Sequence, residues 1–312
     1  MIPVEQAHLE VAAGTDPGRK GKNNEDQFSI NAYQIPGDPP TPSVFAIIAD
    51  GIGGHLAGEV ASAIAVEIIC KGVEESDGTQ PLDTMETAIS QASQAIYAQA
   101  TQSIEQQGMG TTCVCAWIIE DTLYVTYVGN SRLYLLRGNT LYVMTNDHTW
   151  VQEAVDAGAL TKEQARVHPH ANVIRRYLGS EFPPKADVRI RTDKNDVYSK
   201  SNQGFELKEG DRLLLCSDGL NDMIEDDVIL EKLTGKDLDK AIQELIDAAN
   251  QQGGKDNITV VILEKPKKKG VAGMVTQARE MKPQAAISYA GLIVMGLAVI
   301  VALVMILLEL FF

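Results

Sequence analysis

Runs of apolar residues rich in Ile, Val and Leu recur along the chain, and most of them end at polar or turn-forming residues. These runs cover residues 44–49, 111–119, 122–128, 132–137, 140–144, 213–216 and 258–263. Segments of this length and composition predict buried strands. Four of them follow one another through short polar links such as Gly138 and Asn139, which favours antiparallel meanders.

Helical periodicity appears in separate blocks of the chain. Val60, Ile64 and Ile68 recur at four-residue spacing within residues 57–75, and a second helix is predicted over about 82–106. A third helix is predicted over 238–250, whereas residues 148–182 form a polar, partly helical excursion. Because strands and helices are grouped and do not alternate, the pattern predicts an α+β fold with antiparallel sheets covered by helices.

The distribution of charge separates a body from a tail. The 312 residues carry a net charge of −15, which argues against broad nucleic-acid binding. Six basic and two acidic residues follow Glu264, so the tail carries +4 and residues 1–264 carry −19. None of the four cysteines forms a CxxC pair, so we expect buried thiols and no zinc site.

The end of the chain has the composition of a membrane anchor. Residues 287–308 contain 22 uncharged, mostly apolar residues, enough to cross a hydrocarbon core of roughly 30 Å. A buried core helix is the weaker alternative, since only residues 309–312 follow. The basic residues of the 265–286 linker predict that residues 1–264 face the cytoplasm at the cell membrane. The absence of an apolar leader at residue 1 agrees with a reducing compartment.

Acidic residues mark the ends of several predicted strands. Asp50 and Asp218 follow apolar runs, Asp256 precedes one, and Glu25 and Asp26 precede an early strand that begins at Gln27. An Asp-Gly pair alone is usually a turn. If these carboxylates converge, however, they need cations to offset their repulsion. Oxygen ligands of this kind favour Mg²⁺ or Mn²⁺.

The ordered set of motifs resembles the metal-dependent Ser/Thr protein phosphatases of the PPM class, in their bacterial form. The resemblance covers roughly residues 8–264. It rests on short segments at 24–26, 50–55, 110–112, 129–132, 147–148, 168–169, 172–175, 178–179, 217–220 and 254–259.

This resemblance implies a four-layer α-β-β-α sandwich, with two antiparallel sheets flanked by helix pairs, followed here by one transmembrane helix. It implies two Mn²⁺ or Mg²⁺ ions, with catalysis resting on Asp50, Asp218 and Asp256. In the family pattern Asp50 bridges both ions and the Gly51 carbonyl binds one, while Asp218 and Asp256 bind the other. The resemblance also implies that a bridging hydroxide attacks phosphoserine or phosphothreonine.

The family pattern gives Glu25 and Asp26 a supporting part, as ligands that act directly or through metal-bound water. A phosphate-binding arginine of the family falls on Gly21 in this chain. Our hypothesis is that Arg19 or Lys22 partly replaces it as a phosphate ligand. Asn130 stands where the family commonly has aspartate, and since an amide carries no charge, we predict two ions and no tight third one.

Three further residues have weaker interpretations. His148 and His168 flank the polar excursion, and each either organises a flap over the cleft or serves as a capping or buried hydrogen-bonding residue. Arg132 pairs with an acidic residue or caps a turn, and a structural role is favoured for it.

The favoured function is therefore hydrolysis of phosphoserine and phosphothreonine in proteins at the cytoplasmic membrane face. By family analogy, a membrane-associated Ser/Thr kinase or its targets are natural partners. The alternative is a catalytically weakened pseudophosphatase that binds phosphopeptides as a regulator, which Gly21 and Asn130 suggest. A membrane scaffold ranks lowest, because it leaves the acidic strand ends unexplained.

Overall fold

The structure is a computed structural model that describes residues 1–20, 23–53, 57–102, 104–193 and 195–267. Residues Met1–Pro266 form one compact unit. The predicted membrane span at 287–308, most of the linker before it and the short tail after it lie outside the described residues. Within the described residues, no helix combines the length and the hydropathy needed to cross a bilayer.

The described strands are β1 (Ile2–Pro3), β2 (Glu10–Asp16), β3 (Gln27–Ile35), β4 (Thr41–Ala49), β5 (Gly51–Ile52), β6 (Gly110–Thr111), β7 (Cys113–Ile119), β8 (Thr122–Val128), β9 (Arg132–Arg137), β10 (Thr140–Val143), β11 (Phe205–Glu206), β12 (Arg212–Cys216) and β13 (Ile258–Glu264). The described α-helices are α1 (Ala57–Glu74), α2 (Pro81–Ala100), α3 (Trp150–Asp156), α4 (Lys162–Arg166), α5 (Asp218–Asn221), α6 (Asp226–Leu233) and α7 (Leu238–Gln251).

These strands form two large antiparallel sheets and one small ribbon. The first sheet has the order β1-β3-β4-β7-β8-β11, and the second has the order β10-β9-β12-β13-β2. Strands β5 and β6 pair with each other alone, Gly51 opposite Thr111. The prediction of an α+β fold with two antiparallel sheets and packed helices is confirmed.

Strand β4 shows why the sequence contains continuous apolar runs. Phe45, Ile47 and Ala49 pack with residues of α1 and α2, whereas the alternate residues Val44 and Ile48 pack with the second sheet. Neighbouring side chains of a strand point to opposite faces, so a strand covered on both faces is apolar throughout. In the second sheet β12 behaves in the same way, with its outer face packed under α6 and α7.

Several boundaries differ from the predicted ones by a few residues, notably at the second helix and at the run 111–119. The second helix ends at Ala100 and is followed by a short 3-10 turn at Ile104–Gln106. The run at 111–119 divides into β6 and β7, because the Thr112 amide leaves the ladder and donates to the Asp50 carbonyl at 2.9 Å. This division places β6 beside the first acidic strand end.

Candidate metal centre

Asp50 is held in place through its backbone at the end of β4. Its amide donates to Thr112 Oγ1 at 3.1 Å, and its carbonyl accepts from Thr111 Oγ1 at 2.8 Å. The next residue, Gly51, has no room for a side chain, since a Cβ there would lie 2.4 Å from the Gly58 carbonyl oxygen. The glycine therefore allows β5 to pass close to the start of α1, and the carboxylate that precedes it occupies a fixed position.

The neighbouring acidic residues, Glu25 and Asp26, lie just before β3. A Cβ on Gly58 would be 2.8 Å from Glu25 Oε2, so the Glu25 carboxylate packs against the first turn of α1. Asp26 is buried, and Ser217 Oγ donates to its Oδ2 at 2.7 Å. Its other oxygen, Oδ1, is buried and has no hydrogen-bond partner among the described residues. A buried carboxylate oxygen without a donor is suited to accept a cation.

Asp218 opens the one-turn helix α5 directly after β12 and Ser217. Asn130 Nδ2, at the start of the loop before β9, donates to Asp218 Oδ2 at 2.7 Å. Desolvation and the charges of Asp222 and Asp256 nevertheless raise the pKa of Asp218 to about 8. Asp218 therefore lies in a strongly acidic environment despite the hydrogen bond from the amide.

Asp256 lies in a loop that the N-terminal segment closes. The side chain of Asn257 accepts from the Glu25 amide at 2.8 Å and donates to the carbonyls of Asn23 and Pro17 at 3.0 and 3.2 Å. The Arg19 amide donates to the Gly254 carbonyl at 2.8 Å. These contacts, which are remote in sequence, bring the carboxylates near β3 and β13 together.

Charge interactions link Asp26, Asp50, Asp218 and Asp256. Desolvation and the charges of Asp218, Asp26 and Asp256 raise the pKa of Asp50 well above its usual value. Desolvation and the charge of Asp256 raise the pKa of Asp26 to about 6, although hydrogen bonds from Thr259 and Ser217 act in the opposite direction. Asp218 and Asp256 therefore lie close enough to Asp50 for their charges to act on it.

The site runs from the core to the surface. Asp26 is buried, Asp50 and Asp218 are half-buried, and Asp256 is exposed. No three His, Cys, Asp or Glu side chains within the described ranges are arranged to chelate an ion as they stand. The donor set nevertheless fits Mg²⁺ or Mn²⁺, because desolvation and mutual repulsion raise the pKa of Asp26, Asp50 and Asp218, and a divalent cation would relieve that repulsion.

Of the two predicted phosphate ligands, Arg19 lies within the described residues and Lys22 does not. The exposed Arg19 lies at the rim, since its backbone contacts the loop of Asp256 and a Cβ on the preceding Gly18 would be 2.3 Å from the Asp256 carbonyl oxygen. Lys22 and Gly21 lie outside the described residues. Arg19 therefore stays a candidate phosphate ligand whose backbone lies beside the loop of Asp256.

Sequence reasoning included Ser217 and Asn257 in motif segments without assigning them a role, and it missed Asp222 altogether. Asp222 contributes charge to Asp218, and its own pKa is raised by desolvation. It follows Asp218 by four residues, a spacing that places both side chains on one face of a helix. Recognising residues 218–221 as a helical turn would have identified Asp222. No local pattern indicates the long-range contacts of Asn257.

Arg132 has the structural role that the sequence favoured. Its Nε and Nη2 atoms donate to both carboxylate oxygens of Asp147, and its Nη1 donates to the Tyr134 hydroxyl at 3.1 Å. This bidentate pair ties β9 to the segment that precedes α3.

The two histidines have different surroundings. His148 is buried and stacks on Tyr127, and its Nδ1 accepts from the Gly129 amide at 3.1 Å. This is the buried hydrogen-bonding alternative. His168 instead contacts Trp150 and His170 at the rim of the excursion, with a ring-centroid distance of 4.9 Å to Trp150.

Bacterial serine/threonine phosphatases are among the proteins similar to this chain in sequence. The serine/threonine protein phosphatase PstP of Mycobacterium tuberculosis is 35% identical over 257 residues, which make up 82% of this chain and 45% of PstP. This chain thus matches less than half the length of that relative. The serine/threonine phosphatase stp of Listeria welshimeri is 34% identical over 256 residues, which make up 80% of this chain and 94% of the relative.

A solved structure and a family model agree with these relatives. The crystal structure of the catalytic domain of PstP, in complex with two manganese ions, is 33% identical and superposes with a TM-score of 0.67. The match covers 83% of this chain and 99% of the PstP catalytic-domain chain. The family model described as protein phosphatase 2C matches residues 13–261. The chain therefore belongs to the protein phosphatase 2C family.

Proposed function

We propose that this protein is a metal-dependent protein phosphatase that hydrolyses phosphoserine and phosphothreonine in other proteins. The observation that carries the proposal is the group of four aspartates, in which desolvation and the charges of neighbouring aspartates raise the pKa of Asp26, Asp50 and Asp218. Two Mn²⁺ or Mg²⁺ ions, when bound, would activate water and stabilise the phosphoryl oxygens. The family membership and the manganese-bound relative support the same function.

The residues of this chain would divide the work between binding and orientation. Asp50, Asp218 and Asp256 would hold the ions, together with the Gly51 carbonyl, and Glu25 and Asp26 would complete the site. Ser217 and Asn130 orient Asp26 and Asp218 through their hydrogen bonds. Fixed ligands of this kind lower the reorganisation needed at the transition state. Arg19 would contact the phosphate of the substrate from the rim.

The test is the Asp218→Asn variant, assayed on p-nitrophenyl phosphate with Mn²⁺. We expect the rate to fall by at least about a hundredfold, because a charged ligand at the transition state is lost. The Asp239→Asn variant, which changes an exposed aspartate at the start of α7, serves as the control and should keep full activity. Full activity of Asp218→Asn would contradict the proposal, as would no metal-dependent hydrolysis by the native chain.

We further propose that residues 287–308 anchor this domain to the cytoplasmic membrane face. The support comes from sequence, namely 22 uncharged residues preceded by a basic linker. A head tethered in this way meets membrane-associated phosphoproteins at high effective concentration, and a membrane-bound Ser/Thr kinase or its targets would be suitable substrates. Fractionation tests the anchor: the full chain should sediment with membranes and resist carbonate extraction. Recovery of the full chain in the supernatant would contradict the anchor.

A further inference from the structure

A basic groove lies on the excursion between β10 and β11, and the mechanism above does not use it. We define the basic groove as the open cavity of about 330 Å³ lined by Arg175, Arg176, Tyr177, Phe182 and Lys185. Residues 175–185 carry three cations and one acid, Glu181, within a body whose net charge is −19. The groove is therefore a local concentration of positive charge on an acidic domain.

The cations of the basic groove are only weakly neutralised. Arg175 approaches Glu153 at 3.5 Å, and both side chains are about half exposed. An exposed pair of this kind contributes little. Lys185 is exposed and has no ion-pair partner among the described residues. Both cations can therefore take an anionic partner from outside the chain.

Arg176 is also incompletely paired. Its Nη1 lies 3.9 Å from Asp187 Oδ2, at the limit of an ion pair. The same carboxylate already accepts hydrogen bonds from Nε and Nη2 of Arg189. Because Arg189 is the closer partner of Asp187, the guanidinium of Arg176 keeps donors for a ligand.

The basic groove is connected to the metal centre through the backbone. Leu178, two residues after Arg176, pairs with Thr111 through hydrogen bonds of 2.8 and 3.1 Å. Thr111 in turn donates from its hydroxyl to the Asp50 carbonyl at 2.8 Å. Tyr177 packs on Gly110, where a Cβ would be 2.5 Å from the ring. The groove therefore lies next to the strand that supports Asp50.

We propose that the basic groove binds an anionic side chain that flanks the phosphorylated residue of the substrate. This inference rests on the proposed function and specifies its substrate class, namely phosphopeptides with a nearby carboxylate or second phosphate. An extended peptide advances by about 3.3 Å per residue, so a side chain close in sequence to the scissile phosphoresidue reaches a neighbouring groove. Phe182, 79% exposed, and Tyr177 offer apolar surface to the peptide backbone.

The test compares three phosphothreonine peptides that differ only beside the phosphoresidue: one with flanking Glu, one with flanking Gln, and one with a second phosphothreonine. The proteins are the full chain in detergent with Mn²⁺ and its Arg175→Gln/Lys185→Gln variant. Each peptide rate is divided by the same protein's rate on p-nitrophenyl phosphate, which reports the metal centre alone. We expect the native chain to prefer the anionic peptides about tenfold, and the double variant to lose that preference.

The matched control is Lys208→Gln, at the opposite end of the first sheet. The loop that carries this exposed lysine is anchored by the Leu207 amide to the Asp121 carbonyl, between β7 and β8. This variant should keep the native preference. The relative rates of the Glu and doubly phosphorylated peptides then distinguish a carboxylate from a phosphate as the preferred ligand.

A binding measurement keeps the inference testable if hydrolysis itself fails. Fluorescein-labelled versions of the three peptides are titrated with protein in EDTA, and anisotropy reports Kd. The native chain should bind the anionic peptides more tightly than the Gln peptide, and the double variant should bind them about tenfold more weakly. That result supports the proposed role of the basic groove whether or not the chain is a phosphatase. Equal binding of all three peptides by the native chain, or a preference for the anionic peptides that survives in the double variant, overturns the inference. Absence of p-nitrophenyl phosphate hydrolysis would instead count against the proposed function.

Discussion

Asn130 shows how one amide limits the charge of the metal centre. Its Nδ2 donates to Asp218 Oδ2, and its Oδ1 is buried and unpartnered among the described residues. An aspartate at this position would add a negative charge beside Asp218 and Asp222. The Asn130 amide instead donates a hydrogen bond to the Asp218 carboxylate and adds no charge, which weakens the attraction of the site for any additional cation.

We therefore expect two Mn²⁺ sites per chain in a calorimetric titration. The Asn130→Asp variant should gain a third, weaker site, because a second carboxylate then faces Asp218. Asp239→Asn, remote from the cluster, is the control and should leave the stoichiometry at two. A third site of similar affinity in the native chain would show that this reading of Asn130 is wrong.

The acidic residues of the site could be predicted from the sequence because they are tied to recognisable strand ends. Asp50 and Asp218 end apolar runs, and Asp256 precedes one. Their supporting residues could not be predicted in this way. Asn257 contacts residues more than 200 positions away, and a polar residue in a loop carries no local sign of such a partner. Only the pairing of remote segments reveals it.

At the scale of elements, Asp187 attaches the segment that follows the excursion to the first sheet. Its backbone pairs with Tyr127 on β8 through hydrogen bonds of 2.9 and 3.0 Å. Its buried carboxylate meets His148 at 3.4 Å and also binds Arg189. Although desolvation acts in the opposite direction, the hydrogen bonds from His148 and Arg189 lower the pKa of Asp187 below its usual range. The ionised carboxylate therefore stabilises the fold.

The Asp187→Asn variant should be less stable than the native chain by about 2 kcal/mol at pH 7, the typical contribution of hydrogen bonds to a charged group. A lowered pKa stabilises the fold above the unfolded value, and this contribution is lost as pH falls through the folded value. The difference between the two proteins should therefore shrink below about pH 4. Urea unfolding at pH 7 and pH 3.5 measures it. An equal difference at both pH values would exclude an electrostatic origin.

Strand β2 could not be predicted from the sequence pattern. Residues 10–16 contain two alanines and Gly14 and show no apolar run, so no strand was predicted there. The structure pairs β2 with β13 along its full length, Glu10 opposite Glu264 and Asp16 opposite Ile258. Gly14 is small because α7 packs on it, with Ile242 Cγ2 2.5 Å from the position of a Cβ. Packing against the helix, a tertiary constraint, requires a small residue here. Such residues lack the apolar pattern by which a strand is recognised in a sequence.

At the scale of the whole molecule, the domain concentrates negative charge where it needs cations. Residues 1–264 carry −19, and desolvation together with the charges of neighbouring aspartates raises the pKa of Asp26, Asp50 and Asp218. A raised folded pKa means that stability is lost as pH rises through it. Asp26, with a pKa of about 6, therefore weakens the metal-free fold as pH rises from about 4 to 6, and Asp218, with a pKa of about 8, continues to weaken it up to about pH 8.

A bound divalent cation should reverse this effect. We expect saturating Mg²⁺ to raise Tm by about 5 to 10 °C at pH 8. The gain should be smaller at pH 6, where protons compete for the carboxylates. Differential scanning fluorimetry of the full chain with Mg²⁺ or EDTA measures both values. The Asp218→Asn variant should show a smaller gain at pH 8, and a gain independent of pH would contradict this account.

The side chain of Asn257, through its hydrogen bonds, also has a consequence for biosynthesis. It joins the loop before β3 to the loop before β13, so the first and last segments of the domain are needed together. A nascent chain that has emerged only as far as helix α7 contains Asp50 and Asp218 but lacks Asp256 and Asn257. Enzymatic competence should therefore arise only once translation has passed β13, and prematurely terminated products should be inert.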